Sequence, residues 1–184
     1  MNKKTRQFLL TGPPGCGKTT LVEKVCGSLK KLNIQVYGFY TEELRVRGRR
    51  QGFDVVTLDG QRAVLARILE PGVRHNGPIV GQYAVNIPSF EQAVLPLLAK
   101  SETGVGIIDE IGKMELFSKD FSNKVKQIFC ENRVLLVTIP VRPLPYVDRL
   151  KSEHPSAVVI EVNGNNRDTL EPQLTKMIVD AING

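Results

Sequence analysis

Gly12-Pro13-Pro14-Gly15-Cys16-Gly17-Lys18-Thr19 is the stretch on which the fold turns. It satisfies G-x-x-x-x-G-K-[ST], the pattern of a loop that wraps phosphates. What flanks it matters as much. Phe8, Leu9 and Leu10 make a short apolar run that reads as a strand, and Leu21, Val22, Val25, Leu29 and Leu32 recur at helical spacing on one face. Strand, glycine loop, helix is the order such chemistry needs: successive backbone N–H groups converge on the anion, and the helix dipole adds positive potential. Gly12, Gly15 and Gly17 let the main chain approach the phosphates, Cys16 contributes mainly through backbone, and Pro13 and Pro14 are expected in the same nucleotide-binding loop. Lys18 is expected to reach the β and γ phosphates, the Thr19 hydroxyl to ligate Mg²⁺, and Thr20 to reach the α phosphate.

A second motif runs from Val105 through Gly106, Ile107 and Ile108 to Asp109 and Glu110, an apolar strand that ends in two acids. Asp109 stands where a nucleotide-binding sheet holds the carboxylate that serves magnesium, so Thr19 and Asp109 are the expected metal pair. Glu110 is the more telling residue. At the carboxyl end of a parallel strand it can orient or deprotonate a water in line with the γ phosphate. Binding alone has no need of such a group; hydrolysis does. Lys18 and Glu110 are therefore the expected catalytic residues.

The bulk properties narrow the class. The 184 residues suffice for one well-buried domain, and 41% hydrophobic with 24% charged residues describes a globular chain. No run approaches the roughly 20 apolar residues of a membrane span, and the basic start before Phe8 lacks a secretory pattern. Cys16, Cys26 and Cys130 have neither an even count nor metal-ligand spacing, and they read as reduced thiols of a cytosolic or nuclear compartment. The net charge of +6 invites nucleic acid as a partner. The basic clusters, Lys3, Lys4 and Arg6, then Arg45, Arg47, Arg49 and Arg50, are not interleaved with stacking aromatics, so a basic rim around a triphosphate is the expectation and nucleic acid is not. A monomer is the default oligomeric state.

Apolar runs and helical patterns alternate along most of the chain, which predicts an α/β three-layer sandwich with a mainly parallel central sheet. Its strands are expected at Gln7–Thr11, Val36–Tyr40, Val105–Asp109, Arg133–Thr138 and Val158–Val162. Numbered in that sequence, they are expected in the order 5-1-4-3-2, because an Asp-Glu pair of this kind accompanies an extra strand between the loop strand and the acid strand. That extra strand ends in Thr138, whose hydroxyl is a candidate to sense the γ phosphate or hold the attacking water. Helices are expected over Ser89–Ala99, capped by Ser89 with Gln92 and kinked or shortened by Pro96, over Ser118–Glu131, and from about Asp168 onward with Leu170, Leu174, Met177, Ile178, Ala181 and Ile182 inward. Residues 41–87 break the alternation. Phe53–Leu58 and Arg62–Ile68 around Asp59-Gly60 read as a β-hairpin, with a further short strand at Gln82–Ile87. This insertion is expected as an antiparallel flap within a single 1–184 domain.

The chain as a whole resembles the THEP1-type nucleoside triphosphatases, which share the phosphate-loop NTPase fold. The resemblance rests on GPPGCGKTT, on GFYTEE from Gly38, on GRRQGFDVVTLDG from Gly48, on VGQYAVN from Val80 and above all on IIDEIGKMELFS from Ile107. It implies Mg²⁺-dependent hydrolysis of ATP, GTP and other nucleoside triphosphates to diphosphate and phosphate, slowly and with little base discrimination. It implies that Gly12–Thr19 and Val105–Gly112, including Ile111 and Gly112, line the nucleotide site, with Glu110 as the catalytic carboxylate. It also gives weight to Lys113, a cation for the γ phosphate that Glu115 would hold in place, and to Asn166-Arg167 near the base.

Three rivals share parts of this pattern. Asp109 to Gly112 also spells the D-x-x-G of a switch GTPase, but no guanine-reading N-K-x-D follows; Asn163 to Asp168 reads NGNNRD. A small-molecule kinase shares loop, size and an arginine-bearing lid, for which Arg45–Arg50 would serve. A nucleic-acid module would use the same basic residues. An arginine finger, if the insertion supplies one, would come from Arg47, Arg49 or Arg50.

Overall fold

The computed structural model describes residues 5–99, 103–131 and 133–184. In chain order the elements are β1 (Gln7–Thr11), α1 (Lys18–Lys31), β2 (Val36–Val46), β3 (Arg49–Thr57), β4 (Arg62–Ile68), β5 (Ile79–Val80), β6 (Tyr83–Val85), α2 (Ile87–Ala99), β7 (Val105–Asp109), α3 (Lys119–Cys130), β8 (Val134–Thr138), α4 (Pro145–Glu153), β9 (Val158–Glu161) and α5 (Leu170–Asn183). Among the described residues nine strands lie in one sheet, ordered β5-β6-β4-β3-β2-β7-β8-β1-β9. From β2 to β9 neighbours run parallel; from β2 outward to β5 they run antiparallel.

Period-2 alternation in the central strands sends side chains to two separate cores. Leu9, Ile108, Leu135 and Val137 face α2, α3 and α4, while Phe8, Leu10, Ile107 and Leu136 face α1 and α5. On the first face Phe39 of β2, Phe90 of α2 and Phe121 of α3 meet edge to face at 5.1–6.0 Å, which fixes two helices to the sheet. On the second, Leu21, Val22, Val25 and Leu29 of α1 pack beside Leu174, Ile178 and Ala181 of α5.

Several expectations need correction. The sheet is mixed, not mainly parallel, because the insertion does not stand apart as a flap: β2 runs on to Val46, turns at Arg47-Gly48 and continues the central sheet outward through β3, β4 and β6. Arg47 and Gly48 have φ of 51 and 77°, the two left-handed residues of a type I′ hairpin turn. Asn86, not Ser89, caps α2: its Oδ1 accepts from the Ser89 N–H, and the Ser89 hydroxyl accepts from Val64 N on β4. Pro96 does not shorten that helix, which continues to Ala99. Leu32 and Met177 point outward, 56% and 37% exposed, one just beyond the last turn of α1 and the other on the solvent side of α5. Of the amino-terminal basic cluster, Lys3 and Lys4 lie outside the described residues.

Candidate active site

The loop between β1 and α1 owes its shape to its glycines. Gly15 and Gly17 have φ of 74 and 104°, which a side chain would oppose, and a Cβ on Gly12 would stand 2.3 Å from the carbonyl oxygen of Val162. Gly12 is thus required by the neighbouring chain after β9 as well as by any phosphate. Lys18 Nζ curls over the loop and donates to the carbonyls of Gly12 at 2.7 Å and Pro13 at 3.2 Å.

Asp109, at the end of β7, is buried and held from both sides. Thr19 Oγ1 donates to one carboxylate oxygen at 2.6 Å and Thr138 Oγ1 donates to the other. Burial pushes the Asp109 carboxyl up, and the two hydroxyls and the Lys18 charge oppose that push. Thr138 is therefore engaged with Asp109 at the end of β8. Thr41 of β2 adds a bond to the Asp109 carbonyl at 2.8 Å. Sequence reasoning assigned Thr41 no role, although it lies inside the quoted GFYTEE segment.

Glu110 is half-buried, and its carboxyl is pushed up first by burial, then by the charge of Asp109, against the pull of Lys18. Beyond it the chain makes a tight 3₁₀ turn over Glu115–Phe117, which brings Glu115 back toward Glu110. A Cβ on Gly112 would lie 2.6 Å from Glu110 Oε1 and 2.8 Å from Glu115 Oε2, so the bare glycine is what lets the two carboxyls converge. Glu115 is only 4% exposed and is pushed up to about 8 by burial and by Glu110. It forms no ion pair with Lys113; backbone N–H groups, including that of Gly112, supply its partners. The expected Lys113–Glu115 contact is corrected accordingly.

Two cavities flank the loop. One, of about 330 Å³, is lined by Thr19, Asp109, Glu110, Lys113 and Glu115 together with Thr41, Glu43, Phe53, Leu65, Val80 and Met114. The other, of about 200 Å³, lies between Gly17, Thr20, Leu21 and Lys24 on one side and Arg167 and Asp168 on the other. The arginines of the insertion are less free than their number suggests. Arg45 and Arg50 both bind Glu43, and Arg50 also sits over the Phe53 ring, while Arg47 and Arg49 are exposed at the hairpin tip.

Comparison with known proteins shows the family to which this fold belongs. The NTPase family model matches residues 7–175. The chain belongs to the NTPase family. It is 44% identical to the human cancer-related nucleoside-triphosphatase over 184 residues, covering 94% of this chain and 96% of that protein. It is 42% identical to nucleoside-triphosphatase THEP1 of Thermotoga petrophila over 166 residues, covering 89% of this chain and 88% of that protein. Its fold matches the solution structure of a human cancer-related nucleoside triphosphatase with a TM-score of 0.83, covering 96% of this chain and 98% of that one at 44% identity. The crystal structure of THEP1 from Aquifex aeolicus matches with a TM-score of 0.78, covering 94% and 98% at 36% identity. The sheet with helices on both faces is thus the fold of this NTPase family. Among the described residues, no helix is long and apolar enough to cross a membrane.

Proposed function

We propose that the protein hydrolyses nucleoside triphosphates to the diphosphate and phosphate, with Mg²⁺ and with little discrimination among bases. The observation that carries this reading is the position of Glu110: its carboxyl lines the same cavity as Thr19 and Asp109, one residue along the chain from the buried Asp. In this reading the backbone N–H groups of Gly15–Thr20 hold the phosphates, Lys18 turns from the loop carbonyls to the β and γ phosphates, and Val105–Gly112 form the facing wall. Glu110 accepts the proton of the attacking water. Its raised affinity for a proton suits a base that works near neutral pH.

The donors present fit magnesium. Thr19 and Asp109 offer hard oxygens in contact with each other, and among the described residues no group of three or more His, Cys, Asp or Glu could form a closed metal cage. Mg²⁺ is commonly held this way, by one or two protein oxygens plus substrate phosphates. When bound it would offset the charge of the phosphates. In this reading Lys113, on the same cavity wall, faces the γ phosphate. In this reading Arg167 and Lys24, beside the smaller cavity, serve the nucleoside end. Contacts concentrated on phosphates, which all nucleoside triphosphates share, support low base preference. The nucleotide is the proposed small-molecule partner of a monomeric chain acting in the cytosol or nucleus.

The test is phosphate release from ATP, GTP, CTP and UTP, with and without Mg²⁺. Lys18→Ala is expected to abolish nucleotide binding or turnover. Glu110→Ala is expected to keep Mg²⁺-nucleotide affinity and to lose two or more orders of magnitude in rate. Turnover within a few fold of the parent in Glu110→Ala would remove Glu110 from the chemistry.

A further inference from the structure

Hydrolysis needs room for one water beside the γ phosphate, about 30 Å³. The cavity at Glu110 is about 330 Å³, within the range of sites that hold small organic molecules. In this reading the γ phosphate end accounts for only the part near Thr19, Asp109 and Lys113: of the glycine loop from Gly12 to Thr19, only Thr19 lines its wall. The base does not account for the rest, since the smaller cavity at Arg167 lies on the other flank of the loop. The remaining wall comes from the insertion and the turn after β7, and its chemistry is particular. Phe53, Leu65, Val80 and Met114 offer an apolar face with an aromatic ring, while Thr41, Glu43 and Glu115 offer oxygens. Glu43 is already neutralised by Arg45 and Arg50.

We propose that this chamber is a second substrate site, for a nucleoside-type alcohol, and that the protein transfers the γ phosphoryl group to the bound hydroxyl in competition with water. The inference rests on the roles given above to the loop and to Glu110. An uncharged acceptor is indicated because, among the described residues, Lys113 is the one cation lining the chamber and in this reading it is taken by the γ phosphate, whereas the acids Asp109 and Glu110 line the same space. An acceptor bearing its own phosphate would need cations that this wall lacks. A flat base fits against Phe53 and Met114, and sugar hydroxyls fit against Thr41 and the carboxyls. In the transfer, the acceptor O–H bond breaks and its proton passes to the Glu110 carboxylate. The oxygen forms a bond to the γ phosphorus as the bond from that phosphorus to the β–γ bridging oxygen breaks, the electron pair leaving on the nucleoside diphosphate. No oxidant or reductant is needed.

The experiment incubates the full chain with Mg²⁺ and γ-labelled ATP in the presence of millimolar adenosine, cytidine, uridine or thymidine, with AMP as the anionic comparison. Label is expected in the monophosphate of at least one nucleoside, with a matching fall in labelled inorganic phosphate and none transferred to AMP. Label confined to inorganic phosphate with all four nucleosides, or transferred to AMP alone, would overturn the proposal while leaving hydrolysis standing. A parent that neither releases nor transfers phosphate would sink both readings. Val80→Phe fills the chamber from a half-buried edge position; it is expected to cut transfer at least tenfold with phosphate release within twofold of the parent. Phe53→Leu keeps bulk but removes the ring, and is expected to raise KM for the nucleoside at least fivefold. Transfer unaffected by both variants would place the acceptor elsewhere and refute the chamber.

Discussion

Thr19 Oγ1 donates to Asp109 Oδ2 at 2.6 Å, although β8 separates the strands that lead to the two residues. The gap is bridged by Thr138 at the end of β8, which donates to the other Asp109 oxygen. The ends of β7 and β8 and the first turn of α1 thus converge on one buried carboxylate. Removing a donor leaves part of that carboxylate unsatisfied, at a cost of about 1–3 kcal/mol. Thr138→Val is expected to lower stability by about that amount in urea titrations, and Thr138→Ser to restore most of it. Equal stability of Thr138→Val and parent would show that the bond contributes nothing.

Gly112 separates two carboxyls that a methyl group would displace. Gly112→Ala is expected to reduce kcat at least tenfold while nucleotide affinity stays within a few fold, because the loop that holds the phosphates is untouched. Kinetics and equilibrium nucleotide binding, measured side by side, decide it; a selective loss of affinity would contradict the reading.

Glu115 gives the fold a pH dependence of defined sign. Its carboxyl is pushed from 4.5 to about 8, so between those values the folded chain keeps a proton that the unfolded chain gives up. The stability this confers is complete below pH of about 4.5 and is lost as pH climbs through about 8. Glu115→Gln has the same shape and cannot ionise. Its stability relative to the parent is expected to rise steadily from pH 5 to 9 in chemical denaturation, and a difference constant across that range would mean that Glu115 holds no such proton.

The three thiols should differ in reactivity. Cys26 is 5% exposed and burial pushes it up to about 11, Cys130 is exposed, and Cys16 is half-exposed in the loop. Maleimide labelling at pH 7.5 is expected to modify Cys130 quickly and Cys26 only on unfolding. Mg²⁺-nucleotide is expected to protect Cys16 from labelling at least fivefold. Unchanged Cys16 labelling would place the phosphates away from the loop.

The convergence at Asp109 also marks where sequence reading stops. Strand, loop and helix around Lys18 were legible because each depends on neighbours in the chain: apolar period, glycines at left-handed positions, and a cation and a hydroxyl at fixed offsets. β1 and β7 were legible for the same reason, as were the approximate spans of α3 and α5. Ser118, for instance, caps α3 by accepting from Phe121 N at 2.9 Å, a contact three residues long. The contact of Thr138 with Asp109 was not legible, since it spans 29 residues. The Lys113–Glu115 contact failed because a tight turn buries Glu115 among backbone donors, and turn geometry is not written in the charge pattern.

By itself, then, the chain determined a phosphate-wrapping loop, an acid pair at a strand end, and alternating layers, all consequences of short-range periodicity and residue chemistry. Only tertiary structure decided that the insertion extends the central sheet, because hairpin strands bond to whichever edge lies free. It alone brought Phe53, Leu65 and Val80 of that insertion against Glu110, through strand pairing that no local pattern encodes.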